Sequence, residues 1–217
     1  MVGATAHDTL ISHLQQKLEA PLPGPEAHWQ MAPMQRREMA EKYQPNDQTK
    51  VSSVLLLLYP EEGRLHFPMI VRPENSGVHS GQVALPGGKK DEEDEDLIET
   101  ALRETWEELG VRVLRSQVLG QLSQLYIPPS NFLVFPTVAI LPEKPVFSPS
   151  VDEVAEMLTV DLHDFIARNP RTVREITARY MRAEVPCFDL GGKVVWGATA
   201  MILSELYYIL TESEGVQ

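Results

Sequence analysis

Apolar positions divide the chain into a helical opening, a body rich in strands and an apolar closing helix. Leu10, Ile11, Leu14 and Leu18 recur at helical spacing and predict an amphipathic helix over 7–19. APLPGPEAHWQMAP (20–33), with four prolines and a glycine, breaks it. Pro33 then opens a second short helix through Tyr43. From residue 51 the period changes. VSSVLLLLY (51–59) is a nearly continuous apolar run, as expected of an interior strand covered on both faces. EEGR reads as a turn, LHFPMIVR as the returning strand, and GQVALPGG as a short strand ending in a glycine loop. RVLRSQVLGQLSQLY and NFLVFPTVAIL predict further strands, joined through IPPS. VDEVAEMLTVDLHDFIARN reads as a strand entering a short helix capped by Asp161. VPCFDLGGKVVWG predicts a β-hairpin turning at Gly191–Gly192, and ATAMILSELYYIL a last, strongly apolar helix. There is no internal repeat. The order is mixed α and β, with helices suited to cover both faces of a sheet.

Between the glycine loop and the later strands lies KKDEEDEDLIETALRETWEELGV, from Lys89 to Val111, with ten carboxylates. Stepping about 100° per residue along 97–109 gathers Leu97, Ile98, Ala101, Leu102, Thr105, Trp106 and Leu109 into one core-facing arc. Glu104, Glu107 and Glu108 fall in a separate arc, with Glu108 at the apolar boundary. The helix has no lysine, and Arg103 is its one arginine. Like charges so placed repel one another, and hard divalent cations such as Mg²⁺ or Mn²⁺ turn such a cluster favourable. Arg103 is expected to pair with a neighbouring acid or carbonyl and hold a glutamate in position. Asp91 to Asp96 has no helical register and reads as a hydrated loop leading into the helix N-terminus. Gly87 and Gly88 permit a close approach that a side chain would block.

Composition narrows the classes. The chain has 217 residues, enough for one domain and a small appendage, and its 43 % hydrophobic and 23 % charged make-up is that of an ordinary globular protein. A formal charge of −12 argues against nucleic-acid or anionic-membrane partners. An anionic substrate then needs a cation to bridge it. One cysteine, Cys187, excludes an intramolecular disulfide and reads as a buried apolar residue. The opening residues carry no signal-peptide pattern and no apolar run reaches membrane-spanning length, so a cytoplasmic protein is expected. Arg36 and Arg37 read as a solvated helix face, with ligand contact as the alternative.

RETWEELGV (103–111) resembles the core of the Nudix box, G-x5-E-x7-R-E-U-x-E-E-x-G-U with U apolar, through Arg103, Glu104, Glu107, Glu108, Gly110 and Val111. Thr105 stands at an apolar position, Glu95 takes the upstream glutamate, and Lys89 falls where the first glycine belongs, one residue after Gly88. That offset, together with GQVALPGGK, Asp91, Asp94, TALRE (100–104) and WGATAMIL (196–203), resembles the coenzyme A diphosphatase branch of Nudix hydrolases. Ser76 and Gly77 depart from the Leu and Arg usual there, whereas His79 and Gly81 are kept.

The resemblance implies an α/β Nudix fold, an α/β/α sandwich with a mixed central sheet, over 48–213. A helical extension (1–47) precedes it and a tail (214–217) follows. It implies Mg²⁺- or Mn²⁺-dependent hydrolysis of coenzyme A or acyl-CoA to 3',5'-ADP and (acyl-)4'-phosphopantetheine. Glu104 and Glu108 would be the principal metal ligands, with Glu107 a further ligand or the holder of a metal-bound water. Glu107, Glu108 and Arg103 would form the catalytic group, and Arg72, His79, Gly87, Gly88 and Lys89 would contact substrate, with plain solvation of Arg72 and Lys89 and a loop contact or structural hydrogen bond at His79 as the alternatives. The general base is left open and a loop outside the box is one source. Another nucleoside diphosphate derivative (ADP-ribose, a nucleotide sugar or a dinucleotide) is the alternative substrate, and a ligand-sensing module without turnover the alternative class. The apolar helix faces of 1–47 cover either the body or a second subunit, so a homodimer is one option.

Overall fold

A computed structural model describes residues 6–74, 80–178 and 181–211. His79 and the tail 214–217 lie outside the described residues. The opening helices are α1 (Ala6–Glu19), α2 (Pro25–His28), which runs into a 3₁₀ turn, and α3 (Met34–Lys42). Strands β1 (Lys50–Glu61), β2 (Arg64–Val71), β3 (Val83–Ala84) and β4 (Gly87–Lys89) precede helix α4 (Leu97–Leu109). Then come β5 (Val118–Gln121), β6 (Leu125–Ile127), β7 (Phe132–Ile140), β8 (Glu156–Asp161) and α5 (Leu162–Arg168). The chain closes with β9 (Arg171–Ala178), β10 (Met181–Leu190), β11 (Lys193–Trp196) and α6 (Gly197–Thr211).

The main sheet runs β3-β2-β1-β7-β5, with β4 also on β1, β6 on β7 and β8 on β2. β1 and β7 are parallel over nine residue pairs and the other pairings are antiparallel, so the sheet is mixed as expected. β1 shows why its sequence is almost unbrokenly apolar. Leu55, Leu57 and Tyr59 face α4, whereas Leu56 and Leu58 face the layer containing α6, and all five are fully buried. The result is the α/β/α sandwich. A small second sheet, β9-β10-β11, packs beside α6.

Several expected elements differ in extent. The strand expected from residue 112 is divided: a 3₁₀ turn at Arg115–Gln117 precedes β5, which carries a register shift at Gly120, and the non-strand residues 122–124 separate β5 from β6. β8 begins at Glu156 because 151–153 are turn. The hairpin expected at 185–197 is longer, since β9 pairs with β10 over eight residues. β9 is RTVREITA, whose charged and β-branched residues on an exposed ribbon give little apolar signal.

Helices α1 and α2 and the turn after them pack on the α6 side, where Leu14, Met31 and Ala32 join the same apolar cluster as the sheet. A polar junction fixes them. Glu205, fully buried on α6, accepts from the Gly24 N–H at 3.0 Å and the Ser123 N–H at 3.0 Å, and lies 3.1 Å from His28 Nε2. Burial opposes its charge, but these partners outweigh burial and hold its pKa below the usual value. Cys187 is buried, as its surroundings suggested. Among the described residues no helix is long and apolar enough to cross a membrane.

Candidate active site

Helix α4 begins and ends on firm signals. Asp96 caps it by accepting from the Glu99 N–H at 2.9 Å. Gly110 ends it in the left-handed region (φ 69°). Beyond that turn the chain returns across the helix C-terminus: the Ser148 and Ser150 N–H groups donate to Leu109 and Glu108 carbonyls at 2.8 and 2.9 Å. This return brings the 150–154 turn, with Glu153, beside the glutamates.

The glycine loop lies against α4 from the other side. β4 pairs with β1 through Ser52–Lys89, Ser53–Gly88 and Val54–Gly87. The Gly87 N–H donates to Glu108 Oε2 at 2.8 Å. A Cβ on Gly88 would stand 2.4 Å from the Glu104 carboxylate. A Cβ on Gly87, at φ 150°, would stand 2.3 Å from the Ser53 carbonyl oxygen. Both glycines are therefore required for close approach, one by backbone and the other by a glutamate.

Burial and like charge act on these carboxylates together. Glu108 is 4 % exposed, and burial pushes its pKa up to about 7 against the opposing Gly87 hydrogen bond and the Arg72 charge, with Glu104 and Glu153 adding to the rise. Burial also raises Glu104, with Glu107 and Glu153 adding to it and Arg103 opposing. Glu107 is the most exposed of the three.

Arg103 occupies the centre of the acid network. Its Nε and Nη2 donate to the two oxygens of Asp94 at 2.9 and 3.0 Å. Nη1 donates to Glu104 at 3.1 Å and Glu107 at 2.9 Å, and Nη2 also to the Lys89 carbonyl at 3.2 Å. The expectation that Arg103 holds a glutamate is met twice over. Asp94, by contrast, corrects the hydrated-loop reading of 91–96. It is 5 % exposed and accepts from Thr100 Oγ1 and the Asp91 N–H as well. The Arg103 guanidinium, with those donors, holds its carboxyl well below the usual carboxylate range. Trp106 is a second correction: assigned to the core arc, it is 47 % exposed, with the Arg112 guanidinium 5.2 Å from its ring centroid.

Of the residues expected at substrate, Arg72 donates to the Gly87 carbonyl at 3.1 Å and faces Glu108, and the Lys89 residue is exposed at the end of the loop. Glu153 had no motif to mark it, and only the chain's return over α4 brings its charge to the cluster.

Among the described residues, no three His, Cys, Asp or Glu side chains already converge as a metal cage. The donor chemistry nevertheless fits a hard divalent cation. Glu104 and Glu108 offer carboxylate oxygens that burial and mutual repulsion destabilise as anions, and ions such as Mg²⁺ complete their shells with water and substrate phosphate.

A NUDIX domain model matches residues 49–182. The uncharacterized Nudix hydrolase NudL of Pectobacterium atrosepticum is 38 % identical over 128 residues, 59 % of this chain and 66 % of that protein, just under two thirds of its length. The protein of the same description from Yersinia enterocolitica is 34 % identical over 149 residues, 64 % of this chain and 76 % of its own. The crystal structure of a MutT/nudix family protein from Enterococcus faecalis superposes with a TM-score of 0.53 at 18 % identity, covering 93 % of this chain and 73 % of that one, a likeness of fold.

Proposed function

Since the chain belongs to the Nudix hydrolase family, we propose that it hydrolyses the diphosphate bond of coenzyme A or an acyl derivative, giving 3',5'-ADP and (acyl-)4'-phosphopantetheine. The observation that carries this reading is the junction of GQVALPGGK with the glutamate helix. Gly87 bonds Glu108 and Gly88 makes room for Glu104, so the loop that sets this branch apart forms one wall of the acid cluster. The reading takes 48–213 as the catalytic unit and 1–47 as an extension packed on it.

Nudix hydrolases generally use divalent metal ions. Here Glu104 and Glu108, with Glu107 beside them, would hold Mg²⁺ or Mn²⁺. The bound ion would neutralise diphosphate charge and acidify an attacking water. The chain's own residues do the rest. Arg103 keeps Glu104 and Glu107 in place against their mutual repulsion, anchored by buried Asp94. The Gly87 N–H fixes Glu108, and Arg72 braces the loop through the Gly87 carbonyl. Lys89 is exposed where a diphosphate would meet the loop, and His79 is retained as a substrate contact on the resemblance alone. In the reaction, water oxygen bonds to one phosphorus, the bridging oxygen leaves with the other, and a carboxylate takes the water proton. Glu153, next to Glu104 and Glu108 but outside the helix, suits that last role.

Ser76 and Gly77, where the branch has Leu and Arg, favour a second substrate reading: ADP-ribose, a nucleotide sugar or a dinucleotide, cleaved by the same groups. A sensing module without turnover fits poorly with a complete set of Glu104, Glu107 and Glu108. The proposal describes a cytoplasmic enzyme for a small molecule, without nucleic-acid or membrane partners, and sedimentation tests whether it works as a homodimer. Incubation of pure protein with coenzyme A and Mg²⁺ or Mn²⁺, with products identified, is the deciding experiment. Absence of both products, with turnover of another diphosphate in a kcat/KM panel, replaces the first substrate by the second.

A further inference from the structure

Arg36 is a cation that the chemistry above leaves unused. It lies on α3, largely buried against the outer edge of β6, where its Nη2 donates to the Tyr126 carbonyl at 2.9 Å. Its Nε is buried and has no hydrogen-bond partner. Among the described residues no ion pair involves it, although the chain carries 31 acids against 19 lysines and arginines. A desolvated guanidinium with one neutral acceptor is costly, and burial alone pulls its pKa down. An arriving anion offsets that cost, and the planar fork of arginine suits phosphate.

The surroundings agree. Lys50, exposed at the start of β1, pairs in register with Phe132, which in turn pairs with Ile127 of β6. Its Nζ lies 5.5 Å from the Phe132 ring centroid, and among the described residues it too has no ion pair. The edge also lines up with the glycine loop. Lys89 pairs with Ser52, Ser52 with Val134, and Val134 with Leu125, next to Tyr126. Three strand intervals separate the loop from β6, about 14 Å at the usual strand spacing. That is on the scale of an extended nucleotide.

We propose that Arg36, with Lys50 two strands away on β1, forms a second anion subsite at the β6 edge, which takes a phosphate monoester on the substrate's ribose while the diphosphate lies at the glycine loop. The inference rests on the proposed nucleotide-diphosphate reading and narrows it to substrates with a third phosphate. It also gives the extension a part in recognition.

Binding of nucleotide fragments by the full chain tests the subsite without requiring hydrolysis. Calorimetric Kd values are measured for adenosine 3',5'-bisphosphate, adenosine 2',5'-bisphosphate and 5'-AMP. Wild type is expected to bind at least one bisphosphate about tenfold more tightly than 5'-AMP, the scale of one charge-assisted contact. Arg36→Gln should lose that preference, whereas Arg37→Gln, on the exposed side of the same helix, should keep it. Equal affinities in wild type, or a preference that survives in Arg36→Gln, overturn the subsite. If Arg36→Gln does not fold, the wild-type ratios decide alone. Bisphosphate preference without turnover of coenzyme A would remove the substrate reading and leave the subsite standing; turnover without the preference does the reverse.

Discussion

Gly87 and Gly88 are neighbours in one short strand, yet replacing each by alanine should damage different properties. In Gly88→Ala the new methyl would stand 2.4 Å from the Glu104 carboxylate. An ordinary contact needs roughly 1 Å more, and the yielding partner is the far end of a flexible side chain, so the glutamate moves. The fold should lose no more than about 1 kcal/mol, whereas a misplacement of about 1 Å at a catalytic group can cost on the order of 100-fold in rate. In Gly87→Ala the methyl meets the Ser53 carbonyl oxygen at 2.3 Å and Val54 Cα at 2.5 Å, and the backbone is at φ 150°. Neither obstacle can swing aside. Strain at that φ and overpacking together cost about 3–5 kcal/mol. At about 2–4 °C per kcal/mol for a chain of this size, Tm should fall by roughly 10 °C. Thermal unfolding and steady-state hydrolysis of whichever diphosphate the wild type turns over give both readouts. A Gly88→Ala enzyme with full activity, or one that loses as much Tm as Gly87→Ala, would refute the assignment of Glu104 to the chemistry.

Glu108→Gln should abolish metal-dependent hydrolysis by more than about 100-fold while leaving Tm in chelator unchanged or higher, because it replaces a carboxylate whose charge burial disfavours. The same shift predicts a pH effect. With the folded pKa near 7, above the unfolded value, Glu108 contributes stability at low pH that is lost as pH rises from about 4.5 through 7. The loss, about 3 kcal/mol without divalent cation, should vanish in Glu108→Gln; denaturant titrations in chelator that show the same pH slope for both proteins would contradict it. Asp94→Asn should destabilise by about 2 kcal/mol at pH 6 and lower activity through Arg103. Because the folded Asp94 pKa is depressed, its stabilisation is present above about pH 4 and fades below, so wild type and variant should converge in acid; a constant gap down to pH 2 is the refuting result. Glu205→Ala should cost about 3 kcal/mol or more in urea unfolding, since it strands the Gly24 and Ser123 N–H groups and His28. A loss below about 1 kcal/mol would mean that water replaces the carboxylate.

Local patterns carried much of this protein. The 12-residue β1 and the capped, glycine-ended α4 were legible because periodicity, caps and glycine are properties of neighbours along the chain. β9 was not, because an exposed ribbon with alternating charge buries too little apolar surface to leave a pattern. Helical phase, which measures angle alone, places Trp106 in the core arc, but that arc is wider than the surface covering it.

The acid stretch marks the boundary between the two kinds of information. Its residues alone set Glu104, Glu107 and Glu108 on one face, with Arg103 beside them, because a helix places i, i+3 and i+4 together whatever surrounds it. The rest depended on contacts that helical phase does not describe. Asp94 became the buried anchor of Arg103, nine residues on, because the loop leading into α4 folds back against the helix, and the other contacts came from segments remote in sequence. Glu108 acquired its raised pKa only because the glycine loop and the return at 148–154 closed over it. Glu153 joined the cluster by the same return, and Glu205 and Arg36 were drawn into contacts more than eighty residues away in the chain. Charge, desolvation and hydrogen bonding depend on what lies within a few ångströms in space, and the tertiary fold chooses those neighbours.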